Sequence, residues 1–135
     1  ATSLAGRENA SLEIIHTWEL AGESMLTHGR GRISRIELEL LRNATESRHK
    51  QALDELLVPY NLNTGHDNIH LVNGKAAESI CRLTKHKDID LIVMGTLGRA
   101  GISGLFIGNT AENVLRETHT AVLTAKPDGF ITPVH

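Results

Sequence analysis

The sequence predicts an α/β domain built around a parallel sheet, and three observations support this fold class. Short apolar runs alternate along the chain with longer segments whose apolar residues recur every three or four positions, as strands followed by helices do. The runs at 12–18 and 91–94 have apolar residues at consecutive positions, which is typical of strands buried on both faces. A glycine-rich segment, 94–110, joins the second run to a helical segment. With 135 residues, the chain is expected to form a single domain over 1–135.

The N-terminal part is predicted to contain the end of a helix, a strand and a polar loop. Residues 1–9 have helical spacing, and either Gly6 or Asn9 is expected to end that helix. The strand at 12–18 is followed by a polar segment, 19–31, which is punctuated by glycines and is expected to be a loop.

A long amphipathic helix is predicted over residues 32–57. Its apolar residues fall at three- and four-residue spacing, so they are expected to form one buried stripe, and Pro59 is expected to end the helix. The stripe comprises Ile33, Ile36, Leu40, Ala44, Leu53, Leu56 and Leu57.

The second half of the chain alternates strands and helices. The predicted elements are a strand at 69–72, a helix at 75–86, a strand at 91–94, a helix at 110–118 and a strand at 121–125. The tail, 126–135, contains two prolines and is expected to be irregular.

Composition argues against several function classes. The net charge of −2 and four scattered aromatic residues offer no basic or base-stacking surface, so nucleic acid is not an expected partner. No apolar run approaches the roughly 20 residues of a membrane span, and no signal peptide is recognisable, so we expect a cytoplasmic protein that does not bind membranes. The single cysteine, Cys81, lies in a helical pattern and is interpreted as a packing residue.

No pattern of catalytic or metal-binding residues is recognisable. The eight histidines are scattered, with His66, Asp67 and His70 the nearest cluster, and no Cys-x2-Cys pair occurs, so no metal site is predicted. Ser103 lacks the Gly-x-Ser-x-Gly frame of a nucleophile elbow. We therefore do not expect an enzyme.

The glycine-rich segment is the strongest functional signal. It holds five of the twelve glycines and passes from a buried strand to a helix, where backbone N–H groups and the helix dipole favour an anion. It matches neither the P-loop nor the three-glycine dinucleotide motif. Gly98 and Gly108 are expected to need a close backbone approach or a positive φ. Arg99 is either a phosphate contact or an ordinary solvated arginine.

A purely structural interpretation of the same segment stays open. Asn109 is a favoured N-cap residue, and Glu112 three positions later completes a variant of the capping box. On this interpretation Gly108 and Asn109 only begin a helix.

The spacing Gly-x2-Gly-x9-Gly, formed by Gly95, Gly98 and Gly108 after a strand, closely resembles the nucleotide-binding signature of the universal stress protein family. The segments 110–115 and 121–125 are similar to the last helix and the last strand of that family. Two further motifs look most like the second domain of its tandem, E-type members: Gly108-Asn109-Thr110 and Lys126-Pro127-Asp128.

The resemblance implies an open, five-stranded parallel sheet in the order 3-2-1-4-5 with helices on both faces, a Rossmann-like fold similar to that of adenine nucleotide hydrolases. The first strand of the family has no counterpart in this sequence. The domain is therefore expected to be N-terminally incomplete and unlikely to fold alone, with the strand supplied by upstream sequence or by another chain. The alternative is a rearranged sheet in which strands 12–18 and 91–94 pair directly.

The resemblance also implies a non-catalytic regulatory protein of the stress response that binds ATP, another adenine nucleotide or another phosphate-bearing ligand. In relatives the backbone after the second strand contacts adenine, which corresponds to the vicinity of Thr17 and Trp18, while His16 is expected to point into the core or to a neighbour. The final strand is implied to pair with its copy in a homodimer or a tandem pseudo-dimer. The implied binding residues are Met94, Gly95, Gly98, Arg99, Gly108, Asn109 and Thr110.

Two other functions remain open at this point. Single-domain nucleotide binders of the family place Ser or Thr directly after the third glycine, where this chain has Asn109, which favours a structural or dimerisation module acting through protein contacts. Hydrolysis of ATP follows only from analogy between folds.

Overall fold

The computed structural model describes residues 1–28, 33–95 and 108–126. These residues divide into two units, Ala1–Lys75 and the described part of 76–135. The first unit contains α1 (Thr2–Glu8), β1 (Ile14–Trp18), α2 (Glu23–His28), α3 (Arg35–Leu57), a short 3-10 helix (Val58–Tyr60) and β2 (Ile69–Asn73). The second unit contains α4 (Ala76–His86), β3 (Leu91–Gly95), α5 (Asn109–Glu117) and β4 (Ala121–Ala125).

Each unit is built on one pair of parallel strands. In the first unit β1 pairs with β2, with Ile14 opposite Ile69, and in the second β3 pairs with β4, with Leu91 opposite Ala121. The α/β class with parallel strands is thereby confirmed, and four described strands are consistent with a partial sheet. These are the two pairings that the order 3-2-1-4-5 predicts in the absence of its first strand. A direct pairing of β1 with β3 is not among the described ladders.

In the first unit the C-terminal half of α3 packs onto the strand pair. Leu53 and Leu57 are buried against Ile69, and the partly buried Ile14 and Leu62 pack around them. Both aliphatic side chains of α3 therefore contact the amino-terminal ends of β1 and β2, where Ile14 and Ile69 face each other.

The predicted apolar stripe of α3 is only partly buried. Ile36 is 71% and Leu40 64% exposed, and Ala44 and Leu56 are also exposed, so these four predictions were wrong for this chain. The length of α3 explains the exposure of Ile36 and Leu40, because 23 helical residues span about 35 Å whereas a five-residue strand spans about 17 Å. The strands can therefore cover only part of α3. Leu56 differs because it lies about 100° around the helix from the buried Leu57.

Local hydrogen bonds determine where the helices of the first unit begin and end. Ser34 begins α3 with a capping box, in which its hydroxyl accepts from the Glu37 amide at 3.2 Å and the Glu37 carboxylate accepts from the Ser34 amide at 2.8 Å. Asn9 ends α1 with a left-handed φ of 51°, as expected. Pro59 lies two residues beyond the end of α3, within the 3-10 helix.

The segment predicted as a polar loop contains a helix. Residues Glu23–His28 form α2, so the loop prediction was wrong over this range. No glycine or proline interrupts these six residues, and Gly22, with φ of 71°, precedes the helix. The Glu23 carboxylate also accepts a hydrogen bond from Arg42 of α3, which holds α2 against the longer helix.

The core of the second unit joins both of its helices to a strand. Val114 of α5 has no exposed surface and packs with Ala77 of α4 and Ile92 of β3. The partly buried Ile80, Met94 and Val122 pack against this cluster. The position of α5 relative to the carboxyl end of β3 is thus determined by side-chain packing.

We expect Val114→Ala to lower the free energy of unfolding by about 2–3 kcal/mol, because two methyl groups are lost and a cavity remains. The matched control is Leu115→Ala on the next residue, whose side chain is exposed and should contribute less than about 1 kcal/mol. Urea unfolding followed by circular dichroism measures both. Equal losses in the two variants would show that Val114 does not hold the core of the second unit.

Candidate functional site

The candidate site lies where β3 ends and α5 begins. Of the seven residues predicted to bind a ligand, five are described by the structure: Met94, Gly95, Gly108, Asn109 and Thr110. The other two, Gly98 and Arg99, lie outside the described residues. Their roles in ligand binding therefore stay predictions.

Met94 and Gly95 are the last two residues of β3 and pair with Thr124 and Ala125 of β4. The Met94 side chain is partly buried and packs against the core of the second unit. A Cβ atom at Gly95 would meet no neighbour closer than the Ala125 carbonyl oxygen at 4.0 Å. Among the described residues, a side chain at Gly95 would therefore meet no close steric conflict.

Gly108 is the N-cap residue of α5, with φ of −57° and ψ of 149°. The prediction that Gly108 has a positive φ was therefore wrong. Any L-residue can adopt the observed conformation, so φ does not explain why a glycine occupies this position. A close approach of its backbone to a ligand stays a prediction.

The predicted N-cap at Asn109 was also wrong. Asn109 is the first helical residue, and the cap position before it carries no side-chain hydrogen bond. An N-cap residue needs an extended backbone, and here Gly108 has that conformation while Asn109 is already helical. Glu112, predicted as the capping-box partner, instead donates its amide to the Gly108 carbonyl oxygen at 3.0 Å in the first intrahelical bond.

The first turn of α5 consequently has three backbone donors without a partner in the described part of the chain. The amides of Asn109, Thr110 and Ala111 precede the first intrahelical bond and have no hydrogen-bond partner among the described residues. The side chains of Asn109 and Thr110 are exposed, whereas Ala111 is buried and fixes the turn. Together with the helix dipole, these amides can bind an anionic group such as a phosphate or a carboxylate. The nearby Glu112 carboxylate opposes such binding.

The vicinity predicted to contact adenine is occupied by protein contacts. Trp18 is only 6% exposed, and its carbonyl oxygen accepts a hydrogen bond from the Gly74 amide at 2.9 Å. His16 reaches a neighbour, as expected, because its ring is hydrogen-bonded to His49 of α3. The contact between these two histidines was not predicted, since 33 residues separate them and no sequence pattern relates them.

Other reactive groups form no recognisable site in the described part of the chain. No group of three histidine, cysteine or acidic residues there is placed to hold a metal ion. Cys81 is buried, and burial raises the pKa of its thiol, which fits the predicted packing role. No described helix has the length and apolar character needed to cross a membrane.

Comparison with known proteins identifies relatives that match most of the chain. Universal stress protein E from Escherichia coli strain K12 is 36% identical over 92 residues, which is 68% of this chain and 28% of that protein. A solved structure from Pseudomonas aeruginosa PAO1, of a protein with unknown function, is similar with a TM-score of 0.67 and 29% identity. That match covers 95% of this chain and 38% of the other, so the chain spans well under half of these relatives.

A family model also matches most of the chain. The model of the universal stress protein family matches residues 1–126, which include all four strands and five helices of the described residues together with the candidate site. The sequence signature, the strand pairing and this match agree, and the chain belongs to the universal stress protein family.

Proposed function

We propose that this chain is a non-catalytic regulatory domain that binds an adenine nucleotide, or another ligand with a phosphate group, at the first turn of α5. The observation that carries the proposal is the N-terminus of this helix, where no side chain caps the helix and the amides of Asn109, Thr110 and Ala111 have no partner among the described residues. A Ser, Thr, Asp or Asn side chain at the cap position would satisfy one of these donors.

The position of the turn in the fold supports a ligand site. It follows β3, and ligands of open parallel α/β sheets bind beyond the carboxyl ends of the strands. The packing of Ala111 and Val114 holds the turn in place, so the amides are oriented before a ligand arrives. In this proposal the remaining ligand contacts come from Met94, Gly95, Gly98, Arg99 and Gly108.

Asn109 has a specific role in the proposed site. Its exposed amide group can donate a hydrogen bond to a phosphate oxygen, in the position where single-domain relatives are expected to place a hydroxyl. Among residues 108–112, which form this turn, Glu112 is the only acidic residue and there is no histidine. The charge of Glu112 repels an anion. We therefore propose binding without turnover.

A second candidate function, association through β4, is favoured by a separate observation. Among the described strands, β4 has only β3 as a neighbour, and Leu123 on this strand is 48% exposed. An unpaired strand edge with an apolar side chain favours pairing with another chain. We infer a homodimer, or a pseudo-dimer of tandem domains, formed through Ala121–Ala125.

The third part of the proposal is an additional strand that pairs with β1. Within the described residues β1 pairs only with β2, and an isolated two-stranded parallel ladder has marginal stability. We propose that a strand from other sequence of the same polypeptide, or from another chain, pairs with β1 in the working protein. Hydrogen exchange should then show protection of every β1 amide, and protection of only the alternate amides that face β2 would contradict this.

Replacing Gly108 by aspartate should weaken binding of ATP by about tenfold or more while slightly raising stability. The new carboxylate caps the amides of Thr110 and Ala111 and occupies the position proposed for the phosphate. The backbone conformation of Gly108 accepts aspartate without strain. Glu112→Gln should strengthen binding about two- to fivefold, because it removes a repelling charge. Calorimetry with ATP and with inorganic phosphate measures both effects.

The control for charge alone is Asn113→Asp, one turn further along α5, which should change binding less than about twofold. Unchanged affinity in Gly108→Asp would remove the first turn of α5 from the binding site. A loss of the same size in Asn113→Asp would show that the effect comes from net charge and not from capping.

Leu123→Lys should convert a dimer to a monomer without unfolding the domain, because it places a charge on an exposed side chain of the β4 edge. Thr124→Pro should act in the same direction by removing a backbone donor from the strand. Leu115→Lys, at an exposed position of α5, is the control. Sedimentation velocity measures the association state, and an unchanged dimer in both β4 variants would place the interface elsewhere.

A further inference from the structure

An unusual pair of histidines joins α3 to β1 in the first unit. The Nε2 atom of His16 lies 2.9 Å from the Nδ1 atom of His49, and the ring centroids are 5.1 Å apart. The His49 ring also stacks on Trp18, with centroids 6.1 Å apart and planes inclined by 20°. The three rings form a cluster at the carboxyl end of β1.

The hydrogen bond within this pair depends on the protonation of both rings. An N–H···N bond needs one ring to donate and the other to accept, so at least one imidazole must be neutral. When both rings are protonated, two donors and two positive charges face each other, and the bond is replaced by repulsion. The contact is therefore compatible with neutral solution and incompatible with full protonation.

No carboxylate of the described residues hydrogen-bonds either ring to offset this repulsion. Glu13, the residue before β1, pairs with His70 of β2 at 2.5 Å, and the register places His70 opposite Ile15, on the sheet face away from His16. On α3, Lys50 pairs with Asp54 at 2.9 Å. The other charged residues near His49 on that helix, Glu46 and Arg48, have exposed side chains.

Aliphatic contacts between α3 and the strands lie at the other end of β1. Leu53 and Leu57 pack with Ile14 and Ile69 at the amino-terminal ends of the strands. The histidine pair and the Trp18 stacking lie one turn earlier on α3, towards the carboxyl end of β1, and the buried Thr45 is one turn earlier again. Opening of the pair would remove a contact from this part of α3 while the aliphatic contacts persist.

We propose that the His16–His49 pair is a proton-sensitive contact, closed in neutral solution and opened by acidification, which exposes Trp18 at the carboxyl end of β1. The proton is the ligand to which this contact responds. The proposal does not depend on the ligand site at α5, because its residues and its readouts all belong to the first unit.

The direction of the pH dependence follows from His16. Burial, and then the neighbouring His49, lower the pKa of His16 from its usual value near 6.5. As the pH falls through 6.5, the unfolded or opened chain binds a proton that the closed state excludes, so the closed state loses stability. The stability of the closed state stops falling below the pKa that His16 has in the folded state. One such proton changes the opening equilibrium by at most about tenfold per pH unit.

Trp18 provides a direct readout, because it is the single tryptophan of the 135 residues and is buried beside His49. In the full chain, between pH 7.5 and 5.5, we expect its fluorescence emission to shift to longer wavelength and to lose intensity. The double variant His16→Gln with His49→Asn keeps amide groups near the Nε2 and Nδ1 positions and cannot titrate. It should retain the neutral-pH emission at both pH values.

The control variant is His119→Gln, an exposed histidine of the second unit, which should keep the full pH response. Ring-proton NMR of the unmodified chain gives a second readout that does not require a variant to fold. There the resonances of His16 should move over the same pH range as the Trp18 emission. An unchanged emission in the unmodified chain, an equal shift in the double variant, or a His16 titration outside the pH range of the Trp18 change would each overturn the proposal.

Discussion

The first turn of α5, where three backbone amides have no partner among the described residues, is the feature on which the proposed function depends. These amides lack a side-chain cap because Gly108 occupies the cap position and brings no side chain, while Asn109 is already part of the helix. They are held beyond the carboxyl end of β3 because Ala111 and Val114 are buried. A glycine that satisfies no backbone donor lowers the stability of the helix terminus slightly and leaves its positive end open to an anion.

Parallel strand pairing is the second constraint. Each unit contains two strands with exact five-residue register, and each pair is covered by helices whose aliphatic residues contact it. The described ladders leave one edge of β1 and one edge of β3 without a neighbour. Parallel sheets of two strands are rarely stable by themselves, and the four described strands are consistent with a partial sheet. The same reasoning underlies the proposal that β4 is an interaction surface.

The strands were predictable from sequence to within one or two residues, because runs such as Leu91–Gly95 combine β-branched residues with polar or glycine boundaries. The helix caps were less predictable. Asn109 has the residue type of an N-cap, but type alone does not show which of two adjacent residues adopts the extended backbone. The periodicity of α3 indicated a helix correctly, whereas the burial of Ile36 and Leu40 depended on how far the strands extend. The His16–His49 contact links positions that only the fold brings together.

The central claim is that the first turn of α5 binds a phosphate group through backbone amides. Its most direct test is an amide NMR titration of the full chain with ATP, compared with inorganic phosphate. The account predicts saturating downfield shifts at Asn109, Thr110 and Ala111 with both ligands, as expected for amides that donate hydrogen bonds to phosphate oxygens. Saturating ATP binding that leaves these three amides unshifted would contradict it, as would the absence of shifts at millimolar concentrations of both ligands.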